Sequence, residues 1–141
     1  MNIFEALRHD HDKQRELVDA LIQTHGDTEQ RHTLMDELKT ELENHAKFEE
    51  RYFYNPLMFD DLTHEKARHS VAEHHEIDEL IEQLEDTKMS SSAWLVAAKK
   101  LHHLVHHHLS EEEHEVFQLA GKALTEGQKE SLAEQYNDAM H

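Results

Sequence analysis

Six residues of types that bind metal ions recur in this chain at one constant spacing. The second set follows the first by 63 residues, so that His11, His45 and Glu49 are matched by His74, His108 and Glu112. Imidazole and carboxylate groups without sulfur favour iron or manganese, with zinc as an alternative. The duplicated pattern therefore predicts a site for two metal ions on a pseudo-symmetric scaffold.

The residues around these six repeat at the same spacing, which separates a duplication from chance. With 16 His and 31 acidic residues in the chain, one His–His–acid triple would repeat at a given spacing with a probability of roughly 0.003. The same spacing also pairs acidic, apolar and aromatic residues: Asp10 with Glu73, Leu17 with Leu80, Val18 with Ile81, Leu21 with Leu84, Leu38 with Leu101, Glu50 with Glu113, and Tyr54 with Phe117. Each half therefore reads as one copy of the same helical unit.

Composition narrows the class of protein. A chain of 141 residues with 3 Gly and 1 Pro is typical of one domain made of long helices. The net charge of −17 argues against nucleic acids and anionic membranes as partners, and the chain has no Cys for disulfides or thiolate ligands. The N-terminus lacks a basic segment followed by an apolar stretch, and the longest apolar run is residues 93–98. We expect a cytoplasmic protein.

The helical period predicts the elements that position the six residues. Apolar residues recur with this period in four segments, at about 3–25, 29–57, 64–88 and 92–122. Gly26 is a plausible end to the first helix, and Thr125-x-x-Gln128 fits a capping box for a short fifth one. With short connections, we expect an all-α, up-down-up-down four-helix bundle at about 3–122. The fifth helix would lie at about 126–139, within a single domain of residues 1–141.

The spacing of the six residues places them on the inner faces of these helices. His11 is four residues after Leu7 and seven before Val18, and His108 is seven after Leu101. Buried carboxylates without partners cost several kcal/mol each, which bound cations would offset. We expect His11 and His45 to bind one ion, His74 and His108 to bind the other, and Glu49 and Glu112 to bridge both. The alternative is a network of buried polar residues bonded only to one another.

These motifs resemble the hemerythrin-like (HHE cation-binding) domains. The resemblance covers about residues 3–122 and rests on Asp10-His11, His45-x-x-x-Glu49-Glu50 with Tyr54, Glu73-His74, and His108-x-x-x-Glu112-Glu113 with Phe117. It implies a four-helix bundle around two non-haem iron ions that share bridging carboxylates and an oxo or hydroxo bridge. Members of this group bind oxygen, sense iron or oxygen, or handle nitric oxide or peroxide.

One departure from the family pattern weakens the case for reversible oxygen transport. Oxygen-carrying hemerythrins have a fifth His at H-x-x-x-H spacing on the third helix, but Ser70 and Asp78 lie four residues from His74. His69, His75 and Asp78 are candidates for an extra ligand, although His69 and His75 do not lie on the same face of the helix as His74. The related iron–sulfur repair proteins carry an additional Cys-containing segment, which this chain lacks.

Other polar residues have competing interpretations. His107 is a rival to His108 because it precedes Glu112 by five residues, as in the oxygen carriers, but the repeat favours His108. Glu115 lies seven residues after His108, on the same helix face, and is a candidate for a residue that contacts a metal ligand rather than the metal itself. A cluster of further histidines is either solvated or an auxiliary metal site: His102, His103, His106 and His107.

We therefore expect a non-haem di-iron protein that binds or senses oxygen or a related small oxidant. An enzyme that handles peroxide or nitric oxide and an iron or metal buffer are the alternatives. The sequence leaves open whether the protein turns over its ligand, which redox partner it uses, and its oligomeric state.

Overall fold

The computed structural model describes residues 1–141, and all of its regular structure is helical. This confirms the all-α fold expected from the sequence. The first helix is Ile3–Leu21 and the third is His64–Glu85. The second helix is made of three consecutive stretches, Glu29–Glu49, Glu50–Tyr54 and Asn55–Leu57. The fourth helix is divided in the same way, into Ser92–Glu111, Glu112–Val116 and Phe117–Ala123. The fifth helix is Glu126–Met140.

Local sequence signals explain where several helices begin and end. The side chains of Thr28 and Ser91 cap the second and fourth helices by accepting hydrogen bonds from backbone N–H groups three residues on. Thr125 and Gln128 form the expected capping box of the fifth helix. Gly26 lies between the first two helices with φ +59°, a left-handed conformation that glycine adopts without steric cost.

The first four helices form a bundle, and the fifth lies against the first and second. The first helix also packs on the second and fourth, and the third packs mainly on the fourth. The short connections reverse the chain direction between neighbours, which gives the up-down-up-down order. None of the helices combines the length and apolar character needed to cross a membrane.

The apolar core is divided into two clusters with a polar layer between them. On the first helix, Leu7 belongs to one cluster and Leu17 to the other, and the buried His11 lies between them. One cluster is built around Trp94 and Leu101, and the other around Phe53 and the residues near the C-terminus. The polar layer contains the residues that the repeat singled out.

The second and fourth helices each contain one π-helical turn, which the α-helical period of the sequence does not predict. These turns are Glu50–Tyr54 and Glu112–Val116, and they occur at nearly the same position in both halves. A π turn holds more residues than an α turn, so it rotates the inner face of the residues that follow. For this reason Tyr52, which the α-helical period places inward, is half-buried, whereas Tyr54 is fully buried.

The second π turn has the same effect on the fourth helix. Leu119 is half-buried, and Ala120 lies in the core in its place. Glu115, a candidate for the interior, is exposed, and its carboxylate pairs with Lys66 at 3.1 Å. A continuous α-helical period is therefore a poor guide to the inner face beyond Glu49 and Glu112.

Candidate metal centre

The bundle brings the six repeated residues together in its polar layer. The six are contributed by four different helices, and none is more than 5% exposed: His11, His45, Glu49, His74, His108 and Glu112. The imidazoles form two pairs, with ring centroids 5.0 Å apart for His11 and His45 and 4.8 Å apart for His74 and His108. These are the pairs that the ligand scheme assigned to separate ions.

Each glutamate of this set lies between the two imidazole pairs. Glu49 Oε2 is 3.1 Å from Nε2 of His45 and 3.6 Å from Nε2 of His11, while its Oε1 is 3.1 Å from Nε2 of His74. Glu112 Oε1 is 3.6 Å from Nε2 of His11, and its Oε2 is 3.3 Å from Nε2 of His108. Both carboxylates therefore have one oxygen toward each half of the site.

Most of the inward-facing atoms of this site are not satisfied by hydrogen bonds; the exception is the pair of Nε2 atoms of His74 and His108, 3.1 Å apart. Both carboxylate oxygens of Glu49 and of Glu112, and Nε2 of His11 and His45, are buried and have no hydrogen-bond partner. Such unpaired groups are costly in a protein interior. A set of converging nitrogen and oxygen donors that do not satisfy one another fits bound cations, which would accept all of these lone pairs.

The outer nitrogens of the four imidazoles, in contrast, all have polar partners. Nδ1 of His11 is 2.7 Å from Glu113, and Nδ1 of His74 is 2.7 Å from Glu50. A carboxylate at Nδ1 favours the tautomer that carries its proton there and leaves the Nε2 lone pair free for a metal. Glu50 and Glu113 are themselves related by the repeat, so the sequence contained these partners without indicating their role.

The other two histidines have partners that differ between the halves. Nδ1 of His108 is 2.9 Å from Glu73. The repeat would place Asp10 at His45, but the hydroxyl of Tyr136 lies between them, 2.6 Å from Nδ1 of His45 and donating a hydrogen bond of 2.5 Å to Asp10. Asp is one methylene shorter than Glu, and the tyrosine spans the difference. Sequence reasoning missed Tyr136 because the fifth helix lies outside the repeat.

Electrostatics within the layer favours positive charge on the imidazoles. Burial lowers the pKa of His11, but the carboxylates of Glu112, Glu113 and Glu49 outweigh this effect and raise it to about 9. Burial is likewise outweighed at His108, where carboxylates that include Glu112 raise the pKa to about 10. Protons and metal cations therefore compete for the same nitrogen lone pairs.

Two aromatic residues, related by the repeat, pack against the imidazoles from the apolar cluster that also contains Phe53. The ring of Phe117 stacks on His11 at 6.0 Å between centroids, and the ring of Tyr54 packs edge-on against His74 at 5.9 Å. The hydroxyl of Tyr54 is buried without a hydrogen-bond partner. Burial and the charges of Glu112 and Glu49 raise the pKa of Tyr54 well above its usual value.

A small cavity adjoins the imidazoles of both pairs. Its lining includes His45 from one pair, His74 and His108 from the other, Ile77, and the side chain of Gln14. The cavity has room for about one water-sized molecule. Gln14 is 2% exposed, and its amide nitrogen has no hydrogen-bond partner.

The other candidate residues lie outside this layer or lack ligand chemistry. His75 and Asp78 are exposed, although Asp78 also lines the small cavity, and Ser70, which is buried, carries no imidazole. His69 and His107 are also exposed, and both contact the carboxylate of Glu111, at 3.1 and 2.9 Å. The structure therefore brings four imidazoles, and no fifth, to the centre of the bundle.

A four-helix bundle with two His/Glu donor sets across its middle is the architecture of helical-bundle cation-binding proteins. The chain belongs to the hemerythrin HHE cation binding domain family, which matches residues 2–120. A hemerythrin HHE cation-binding domain-containing protein from Mycobacterium kansasii has a similar solved structure, with a TM-score of 0.89 and 23% identity over 99% of this chain and 85% of that one. At this identity the similarity is one of fold. No curated protein matches the chain.

Proposed function

We propose that this chain is a non-haem di-iron protein that binds or senses oxygen or a related small oxidant. The observation that carries the proposal is the small cavity that adjoins imidazoles of both pairs, because it leaves space for a small ligand beside both expected metal positions. A carboxylate and imidazole donor set without sulfur suits iron, with manganese and zinc as the alternatives.

In this proposal the six repeated residues are the metal ligands. His11 and His45 would hold one ion, His74 and His108 would hold the other, and Glu49 and Glu112 would bridge the two. An iron pair held by these residues would supply the electrons for reversible binding of a small oxidant. The carboxylates at Nδ1 keep the imidazoles oriented with Nε2 inward.

Gln14 supports the assignment of the cavity to an exogenous ligand. Its buried amide is free to donate a hydrogen bond into a space that is otherwise lined largely by imidazole and apolar groups. The repeat places Ile77 at the corresponding position of the other half, and Ile77 lines the same cavity. Asp78 lines the cavity as well, so polar side chains from both the first and the third helix border the space next to the imidazoles.

An enzyme that handles peroxide or nitric oxide is the second candidate. The observation that favours it is the number of imidazoles at the centre, four where oxygen carriers have five, which leaves more metal positions open to reactants. The buried hydroxyl of Tyr54, which has no hydrogen-bond partner, also provides a hydrogen-bond donor within the layer. A metal buffer, the third alternative, would exploit the 16 His of the chain.

The test is iron reconstitution without oxygen, followed by exposure to air while the absorption spectrum and iron content are recorded. We expect two irons per chain and the absorption bands of an oxo-bridged diferric centre. Spectral changes that reverse when oxygen is removed would support binding, and turnover of peroxide or nitric oxide would support the enzyme. Tight binding of many more ions, or equal retention of nickel and zinc, would contradict the di-iron proposal in favour of a buffer.

A further inference from the structure

A second group of metal-capable side chains lies on the outer surface of the bundle, away from the polar layer. Asp19 on the first helix meets His102 and His106 on the fourth, and Nε2 of each imidazole is 2.7 Å from the same oxygen, Asp19 Oδ1. The two histidines are four residues apart, so they occupy adjacent turns of one helix face, and their rings are 4.6 Å apart. Three donors from two helices therefore converge on one point.

These three residues are accessible to solvent and to ions. The side chains are 57% exposed for Asp19, 30% for His102 and 35% for His106. Asp19 has no ion-pair partner other than these two imidazoles, because the nearby Arg15 is paired with Asp12 and Glu113. No lysine or arginine of the chain competes for the carboxylate.

The internal repeat supplies a comparison for this surface. The counterparts of Asp19, His102 and His106 are Glu82, Lys39 and Glu43. In that half, the ammonium group of Lys39 on the second helix reaches both oxygens of Glu85 on the third, at 2.9 and 3.0 Å. In that half the ammonium group of Lys39 supplies a positive charge between two helices. The surface at Asp19, His102 and His106 has side chains that can bind a metal ion, but no lysine or arginine in that place.

We propose that Asp19, His102 and His106 bind a divalent zinc-like cation that joins the first helix to the fourth. Two imidazoles and one carboxylate are a zinc donor set that leaves a fourth position for water. Zinc–nitrogen bonds of about 2.0 Å would set the ligand atoms about 3.3 Å apart. The three ligand atoms already lie within 4.8 Å of one another, so small side-chain rotations suffice.

The experiment is titration of Zn²⁺ into the iron-loaded protein, followed by calorimetry and by zinc and iron analysis after desalting. We expect one zinc per chain with the iron retained, and an anomalous diffraction peak at the zinc edge between Asp19 and the two imidazoles. Zinc should also raise the melting temperature, because the ion would join two helices. Zinc that only displaces iron, or a peak elsewhere on the molecule, would overturn the proposal.

Two variants test the residues directly. His102→Ala/His106→Ala should lose the added zinc, and Asp19→Asn, which keeps the shape, should bind it at least about tenfold more weakly. The matched control is His75→Ala/His103→Ala, which removes the same number of exposed imidazoles and should bind zinc normally. Equal zinc affinity in the two double variants would show that this surface is not the site.

Discussion

The hydroxyl of Tyr136 lies 2.6 Å from Nδ1 of His45, and this contact breaks the pseudo-symmetry of the centre. In the other half, His108 reaches the carboxylate of Glu73 directly. At His45 a neutral hydroxyl, itself bonded to Asp10, replaces the charged partner. If the six repeated residues bind two ions, the two positions are chemically unequal although their donors are the same.

Tyr136→Phe should therefore weaken the binding of one of the two ions and leave the binding of the other largely unchanged. Removing the hydroxyl leaves His45 without its Nδ1 partner, and loss of such a partner costs about 10–100-fold in metal affinity. The measurement is metal content against increasing chelator, which should show one ion lost before the other. Tyr52→Phe is the control, because Tyr52 is half-buried and its hydroxyl makes no hydrogen bond. Release of both ions together in Tyr136→Phe would contradict this prediction.

His108→Ala should lose about one iron per chain while the helical content is retained. The imidazole lies at the centre of the polar layer, and its removal takes one donor from one ion only. Metal analysis and circular dichroism would measure both quantities. His107→Ala is the control, because His107 is exposed and is the rival ligand in the sequence. A His108→Ala protein that keeps both irons would refute the ligand scheme.

Gln14→Met should weaken the binding of azide, a small anion, to the iron-loaded protein. Methionine keeps the length of the side chain but removes the amide donor. We therefore expect the affinity for azide to fall by about tenfold, which corresponds to the loss of one hydrogen bond. The shift of the absorption bands on azide titration gives the dissociation constant. Ile77→Leu changes the shape of the same cavity and keeps the amide. Equal losses in both variants would assign the effect to shape rather than to Gln14.

The affinity for a divalent metal should keep rising with pH well above neutrality. His11 and His108 have pKa values of about 9 and about 10, so each is protonated at pH 7 and must lose a proton to bind. Each proton displaced adds about tenfold in affinity per pH unit below the pKa of its group. Titration of Mn²⁺ at pH 6.5, 7.5 and 8.5 would measure this slope. An affinity that levels off above pH 7 would show ordinary imidazole pKa values.

Two glycine substitutions should change stability in opposite directions without changing the metal content. Gly26→Ala forces a side chain into φ +59° and should destabilise the protein by about 1 kcal/mol. Gly121→Ala lies in a helix with open space around the new methyl group, so it should stabilise by about 0.5–1 kcal/mol. Urea unfolding of the iron-loaded proteins gives both values. The same sign in both variants would be incompatible with this reasoning.

The sequence predicts the bundle well because both of its determinants are local. The helical spacing of the apolar residues identifies the helices, and capping residues such as Ser91 and Thr125 mark where they begin. The six residues at the centre are also recognisable in the sequence, since a repeat of 63 residues distinguishes them from the other His and Glu residues of the chain. The groups behind Nδ1, such as Glu50 and Glu113, repeat too, but only the folded helices show which nitrogen they reach.

Two features of the site were not predictable from the pattern. The π turns interrupt the α-helical period, which places Tyr52 and Glu115 on the inner face although the structure does not. Tyr136 belongs to a helix without a counterpart in the repeat, and its contact with His45 spans 91 residues of sequence. Both features depend on tertiary packing rather than on local preference.

The two π turns also leave the spacing of the internal repeat unchanged. A wide turn of this kind can arise when one residue is inserted into an α-helix. An insertion in one half alone would have lengthened the offset by one residue for every pair beyond it. The offset is 63 where the turns begin, at Glu49 and Glu112, and still 63 where they end, at Tyr54 and Phe117. Both halves therefore have the same number of residues across the wide turn, so neither half alone carries an inserted residue.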